Sequence, residues 1–244
     1  MKLTFHGHSC LTWTHSKGAI VFDPFLTGNP LAKVGLDAIV ATDLLLTHGH
    51  EDHVLDAPAI AARPEVQSVA AYEVATWLVQ QGGMNVVGMN HGGLVSIQGG
   101  TARMVNAVHS SVLPNGQSGG NPAGFVVEVG DERLYHAGDT ALTMDMELIG
   151  RYWPCPIAAL PVGGHFTMGW EDALIAAKMV KAREVIALHY DTFPPITLGA
   201  EDKKVAQAAF DDEHIKLHFL QPGEELETDG AVYGKTSGMK TEPI

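Results

Sequence analysis

Apolar and polar positions change places quickly along the first quarter of the chain. Residues 3–5, 11–14 and 19–22 read as short strands, separated by Gly7 and by the turn pair Lys17-Gly18. Asp23-Pro24 ends the third of them, and this pair is read as a turn. An unbroken apolar run, Leu44-Leu45-Leu46, marks the end of a buried strand over 44–47. A helix is predicted over 57–62, with Asp56 as N-cap and Pro58 in its first turn. A strand over 66–70 and a helix over 72–81 follow, the helix closed by Gly82-Gly83. Strands are expected at 86–89, 94–97 and 102–108, then a Gly/Asn/Pro-rich loop reaching Asn121-Pro122. Residues 124–129 and 133–136 form a hairpin pattern around Gly130-Asp131. The remainder predicts helices at 144–149, 170–181 and 201–210, and strands at 157–162, 185–188 and 216–220. After Pro222-Gly223 the chain turns polar and reads as a frayed tail. Strands dominate first, then strands and helices mix. That order predicts two sheets covered by helices in one domain over residues 1–244.

The pattern breaks most sharply where the run of leucines ends. Thr47-His48-Gly49-His50-Glu51-Asp52-His53 packs three histidines and two acids into one short stretch. On a helix, residues two apart do not face each other. On an extended segment, alternate residues share a side, so His48, His50 and Asp52 would converge at the mouth of the strand. His53 breaks the alternation and requires the chain to turn. Imidazoles and carboxylates at that density suit Zn, and also Fe, Mn, Co or Ni.

Composition narrows the field. With 45% hydrophobic and 18% charged residues the chain is that of a folded globular protein. Its formal charge of -13, without a basic stripe, argues against nucleic-acid binding. Cys10 and Cys155 are too few for a disulfide framework and are expected to be buried free thiols. No apolar leader and no stretch of about 20 apolar residues is present, which predicts a cytoplasmic protein with no membrane partner.

Ligand-type residues recur at the ends of apolar strands: His48, His109, Asp139, His165 and His189. The set His48-x-His50-x-Asp52-His53, a lone His109, Asp139 within Ala-Gly-Asp-Thr, and His189 resembles the metallo-β-lactamase fold superfamily. Gly7-His8-Ser9-Cys10, Asn121-Pro122-Ala123-Gly124-Phe125, Phe166-Thr167-Met168-Gly169 and His189-Tyr190-Asp191-Thr192-Phe193-Pro194-Pro195 narrow the resemblance. They are similar to the UPF0173 metal-dependent hydrolase group, related to the ascorbate-6-phosphate lactonase type. The resemblance implies an α/β (α+β) four-layer αββα sandwich. It implies two divalent metal ions, Zn foremost, with Mn, Fe or Ni as alternatives. His48, His50 and His109 would hold one ion, Asp52, His53 and His189 the other, and Asp139 would bridge them. Paired cations about 3.5–4 Å apart lower the pKa of a bridging water, giving a hydroxide nucleophile at neutral pH.

The expected activity is hydrolysis of an ester or lactone in a small molecule. Phosphodiester cleavage on the same centre is the runner-up, and a non-catalytic metal-binding scaffold is the rival of another class. Asp52 is a candidate to orient the nucleophile or accept its proton. His165, in a glycine-rich loop, is expected either to donate to substrate or a developing oxyanion, or to hydrogen-bond behind a ligand. His8 is placed behind the ligands and His136 in the core. His6, His15, His91, His214 and His218 are read as surface or structural. No organic cofactor is expected, and a homo-oligomer is left open.

Overall fold

The computed structural model describes residues 1–232. Its first half contains β1 (Lys2–Gly7), β2 (Cys10–His15), β3 (Gly18–Phe22), β4 (Asp43–Leu45), α1 (Glu51–Val54), α2 (Ala57–Ala61), β5 (Gln67–Ala71), α3 (Tyr72–Gln80) and β6 (Asn85–Met89). The second half contains β7 (Leu94–Ile97), β8 (Gly100–Asn106), β9 (Ala123–Val129), β10 (Glu132–His136), α4 (Asp145–Tyr152), β11 (Ile157–Pro161), α5 (Trp170–Val180), β12 (Glu184–Leu188), α6 (Ala200–Asp212), β13 (Lys216–His218) and β14 (Glu225–Glu227).

These strands form two seven-stranded sheets, in the orders β14-β1-β2-β3-β4-β5-β6 and β13-β12-β11-β10-β9-β8-β7. The halves echo each other. In each, antiparallel strands lead into parallel ones: β3 through β6 in the first sheet, β10 through β13 in the second. Parallel strands need crossovers, and helices supply them. α3 packs on β5 and β6, while α5 and α6 pack on β11 and β13. The result is a four-layer αββα sandwich. One continuous apolar core joins the inner faces of both sheets to the helices outside them. Strands covered on both faces lose alternation, which is why Ile157-Ala158-Ala159-Leu160-Pro161 is buried throughout.

The helix stop at Gly82-Gly83 is a Schellman motif. Gly82 takes φ 98°, Gly83 N–H donates to the Leu78 carbonyl at 2.9 Å, and Gly82 N–H donates to that of Val79 at 3.0 Å.

Two expectations change. Residues 225–227 are not frayed: they pair antiparallel with β1, Leu3 opposite Leu226. Three residues carry too little pattern to announce a strand, and the open edge of β1 fixes them instead. The rest of the expected tail, from residue 233 on, lies outside the described residues. Asp56 stands at the N-cap of α2 but makes no side-chain cap bond. Its carboxylate instead accepts from the backbone N–H groups of Leu26 and Thr27, at 2.7 and 2.8 Å, and from the Thr27 hydroxyl at 2.6 Å. That clamps the loop after Asp23, next to the site.

Candidate metal centre

Each of the strands that serve the site ends at the same kind of place. His8 follows β1, Asp23 follows β3, Thr47 and His48 follow β4, His109 follows β8, Asp139 follows β10, His165 follows β11 and His189 follows β12. Carboxyl ends of strands are where open α/β sheets leave crevices for ligands. The expected alternation holds only in part. His50 is extended (φ -63°, ψ 145°) and caps α1, and Asp52 and His53 lie on that one-turn helix. The turn that His53 was expected to need is therefore helical.

The chain is strained here. Among the described residues, five of the seven non-glycine residues at positive φ are His8, Asp23, His165, His189 and Asp191, with φ from 43° to 58°. Each costs on the order of 1 kcal/mol or more, a burden commonly concentrated at functional sites. Gly138 (φ 62°) precedes Asp139, and a Cβ there would come within 2.7 Å of Thr47 Cβ and 2.9 Å of the Ala123 carbonyl. Only glycine lets the two sheets approach this closely, and Ala123 N–H bonds the Thr47 carbonyl across the gap at 2.9 Å.

The seven residues expected to hold metal converge. His48 Nε2 lies 2.9 Å from His50 Nδ1, and the His48 ring centroid is 5.2 Å from that of His109. Asp139 Oδ2 faces three imidazoles from three elements: His189 Nε2 at 3.0 Å, His53 Nε2 at 3.4 Å and His109 Nε2 at 3.6 Å. Among the described residues, three groups have potential donor atoms within 4.8 Å of one another: His48, His50 and His109; His48, His53 and Asp139; and His8, Asp52, His53 and His189. Asp139 thus stands between the other two sets.

Behind the cluster runs a hydrogen-bond chain that fixes ring tautomers. Asp23 is fully buried, and its carboxylate accepts from Thr47 N–H at 2.8 Å, from the Thr47 hydroxyl at 2.6 Å and from His53 Nδ1–H at 2.9 Å. With its proton given to Asp23, Thr47 Oγ1 is an acceptor for His48 Nδ1–H at 3.0 Å. Each imidazole, when neutral, therefore carries its lone pair on Nε2, toward the centre. Sequence reasoning read Asp23 as a turn. Its end-of-strand position was a signal, but the link to His53 depends on parallel pairing of β3 and β4, Phe22 opposite Leu45. His8 plays the matching part on the other side, with Nε2 3.1 Å from Asp52 Oδ2 and Nδ1 3.0 Å from Thr192 Oγ1. Ser110 Oγ lies 3.3 Å from His50 Nε2, and Ser111 Oγ accepts from Gly49 N–H at 3.0 Å.

Burial pushes His48 well below the ordinary imidazole range, aided by the neighbouring His53. It also lowers His50 and His109. Burial, the largest single influence on His53, would do the same, but Asp139 and Asp23 together hold it well above the ordinary range. Burial opposes ionisation of Asp139 too, yet His53 and His189 keep its carboxyl well below the usual value. The cluster thus favours a positive charge beside Asp139. Among the described residues, His53 Nε2, His189 Nδ1 and Asp139 Oδ1 are buried without a hydrogen-bond partner. Buried polar atoms left in that state are costly unless something else engages them. Divalent cations fit this set of imidazole and carboxylate donors.

A cavity of about 340 Å³ opens beside the cluster. Five candidate ligands floor it (His50, Asp52, His109, Asp139 and His189), and its other lining residues are Ser110, Phe166 and Phe193. His165 is exposed and is not among them; its ring packs edge-on against Phe166, centroids 4.4 Å apart. The two phenylalanines were missed because an aromatic in a loop carries no spacing signal. Four other histidines are bonded elsewhere. His136 stacks on Phe22 at 4.6 Å and bonds the Ser9 carbonyl. His6 bonds Thr12, His91 the Pro122 carbonyl and His218 Glu184, each at 2.8 Å. Cys10 and Cys155 are buried free thiols, Cys10 pushed up to about 12 by burial. Among the described residues, no helix is long and apolar enough to cross a membrane.

The family described as the Beta-lactamase superfamily domain matches residues 2–189. A UPF0173 metal-dependent hydrolase of Thermus thermophilus is 44% identical over 229 residues, covering 94% of this chain and 100% of that one. Another from Methylacidiphilum infernorum is 40% identical, covering 93% and 99%. Among solved structures, Igni18, a metallo hydrolase from Ignicoccus hospitalis, superimposes with a TM-score of 0.82 at 33% identity, covering 93% of this chain and 99% of that one. Fold, strand-end cluster and sequence agree: the chain belongs to the UPF0173 metal-dependent hydrolases of the β-lactamase superfamily.

Proposed function

We propose that the chain, as a single domain over residues 1–244, hydrolyses an ester or lactone in a small molecule at a centre of two divalent ions, Zn foremost. One observation carries the reading: Asp139 Oδ2 sits within 3.6 Å of His53, His109 and His189, between an all-imidazole set and a mixed one. His48, His50 and His109 would hold one ion, Asp52, His53 and His189 the other, with Asp139 shared. When bound, such a pair supplies a hydroxide-strength nucleophile at neutral pH and polarises the scissile oxygen.

The chain's own groups do the rest. Asp52 lines the cavity, and its carboxyl is held low: burial would raise it, but the bond from His8 and the nearby His53 outweigh burial. It is therefore an ionised acceptor, able to orient the attacking water and take its proton. His8 holds Oδ2 of that carboxylate in place. The water oxygen bonds to the acyl carbon, the acyl–oxygen bond breaks, and the proton passes to the departing alkoxide. His165 is proposed to meet the part of a substrate that projects from the mouth, one residue before the cavity-lining Phe166.

The test is metal analysis combined with a screen of lactones, esters and phosphodiesters, with His50→Ala as control. Turnover of esters or lactones that disappears in His50→Ala supports the reading. Activity unchanged in that variant contradicts it.

A further inference from the structure

The composition of the cavity walls goes beyond what the metal chemistry requires. Among the described residues, no lysine or arginine lines the cavity. Proteins recognise carboxylate and phosphate groups mostly with these cations, through charge-assisted hydrogen bonds. Lys203 bonds Asp191, two residues beyond His189, but its ammonium lies over the Tyr190 and Phe219 rings, 5.0 and 5.7 Å from their centroids. The chain's formal charge of -13 adds a field that repels anions on approach. Among the described residues, Ser110 is the only uncharged hydrogen-bonding side chain in the lining that is not a candidate ligand.

The two remaining walls are aromatic and differ in how they are held. Phe193 is half-buried, edge-on to His8 with centroids 5.6 Å apart and 6.3 Å from Phe25. Phe166 is 56% exposed at the opening. An apolar group lying between them would cover aromatic surface that water otherwise touches. A volume of about 340 Å³ is at the small end of ligand cavities.

We infer, resting on the hydrolase reading above, that the substrate is a compact, neutral ester or lactone whose apolar side is gripped between Phe166 and Phe193, and that substrates bearing a second, anionic group are rejected. The class excluded includes carboxylated esters and phosphorylated lactones. Hydrolysis yields one carboxylate and one hydroxyl, on two molecules from an ester and on one from a lactone, so the anion appears only on the product.

A matched pair of probes tests this on the metal-loaded full chain: p-nitrophenyl butyrate, which is neutral, and mono-p-nitrophenyl succinate, of similar length but ending in a carboxylate. The expected result is a kcat/KM at least about tenfold higher for butyrate. Phe166→Ala and Phe193→Ala should each raise KM for butyrate several-fold more than they change kcat. Phe166→Lys should shift the butyrate-to-succinate ratio about tenfold toward succinate. Equal or preferred turnover of succinate by the natural sequence, or a butyrate KM untouched in both alanine variants, overturns the inference and leaves the hydrolase reading standing. No turnover of either ester or of γ-butyrolactone by protein carrying its metals overturns both.

Discussion

The two sides of the centre are built differently. His48, His50 and His109 form a set of imidazoles only, two of them partly exposed, and burial favours the neutral form of all three. On the other side His53 is fully buried between Asp23 and Asp139, and Asp52 is fixed by His8. The first side presents neutral imidazoles, which would leave an ion's charge intact for polarising a substrate. The second surrounds its position with carboxylates, which would anchor an ion and reduce its net charge. Asp139 and the Asp23–Thr47 pair join the two, because Asp23 fixes His53 directly and His48 through the Thr47 hydroxyl.

Asp139→Ala should break the comparison most completely. It removes the group shared by both sides, so hydrolysis should fall to background and metal content should drop, measured by activity assay and elemental analysis. Asp23→Asn should come next. Losing the carboxylate behind His53 and His48 should weaken metal affinity at both positions about 10- to 100-fold, read by competition with a chelating dye. Single-sided changes should sharpen the contrast. His8→Gln should weaken only the position served by Asp52, and Ser110→Ala should act, more mildly, only on that served by His50.

In the metal-free protein the sides should also respond to pH with opposite sign. The His48 pKa is depressed on folding, so the unfolded chain binds more protons as pH falls below about 6.5 and stability is lost there. His53 is raised, so its stabilisation is present below the ordinary value and fades as pH climbs through the higher folded one. Urea unfolding from pH 5 to 9 should show His48→Gln lessening the acid-side loss. His53→Gln should lower stability most at the acid end, and its deficit should shrink as pH rises.

Much of this was legible in the chain because it is local. The Leu44–Leu46 run followed by His48, His50, Asp52 and His53 announces a strand end loaded with ligands. His109, Asp139 and His189 repeat that signal further on. What was not legible depends on register between distant segments. Asp23 reaches His53 only because β3 and β4 run parallel side by side, and Asp56 meets Leu26 and Thr27 only after that crossover. Leu226 finds its strand only opposite Leu3. Phe166 and Phe193 look like any loop aromatics until the sheets bring their loops to one cavity.

The most direct measurement is the number of ions bound per chain when metal-free protein is titrated with Zn²⁺, followed by calorimetry with elemental analysis of the saturated sample. Two ions per chain, falling to one or none in Asp139→Ala, is the predicted result. Saturation at one ion or fewer, with Asp139→Ala binding as well as the natural sequence, would contradict a centre shared between the two sides.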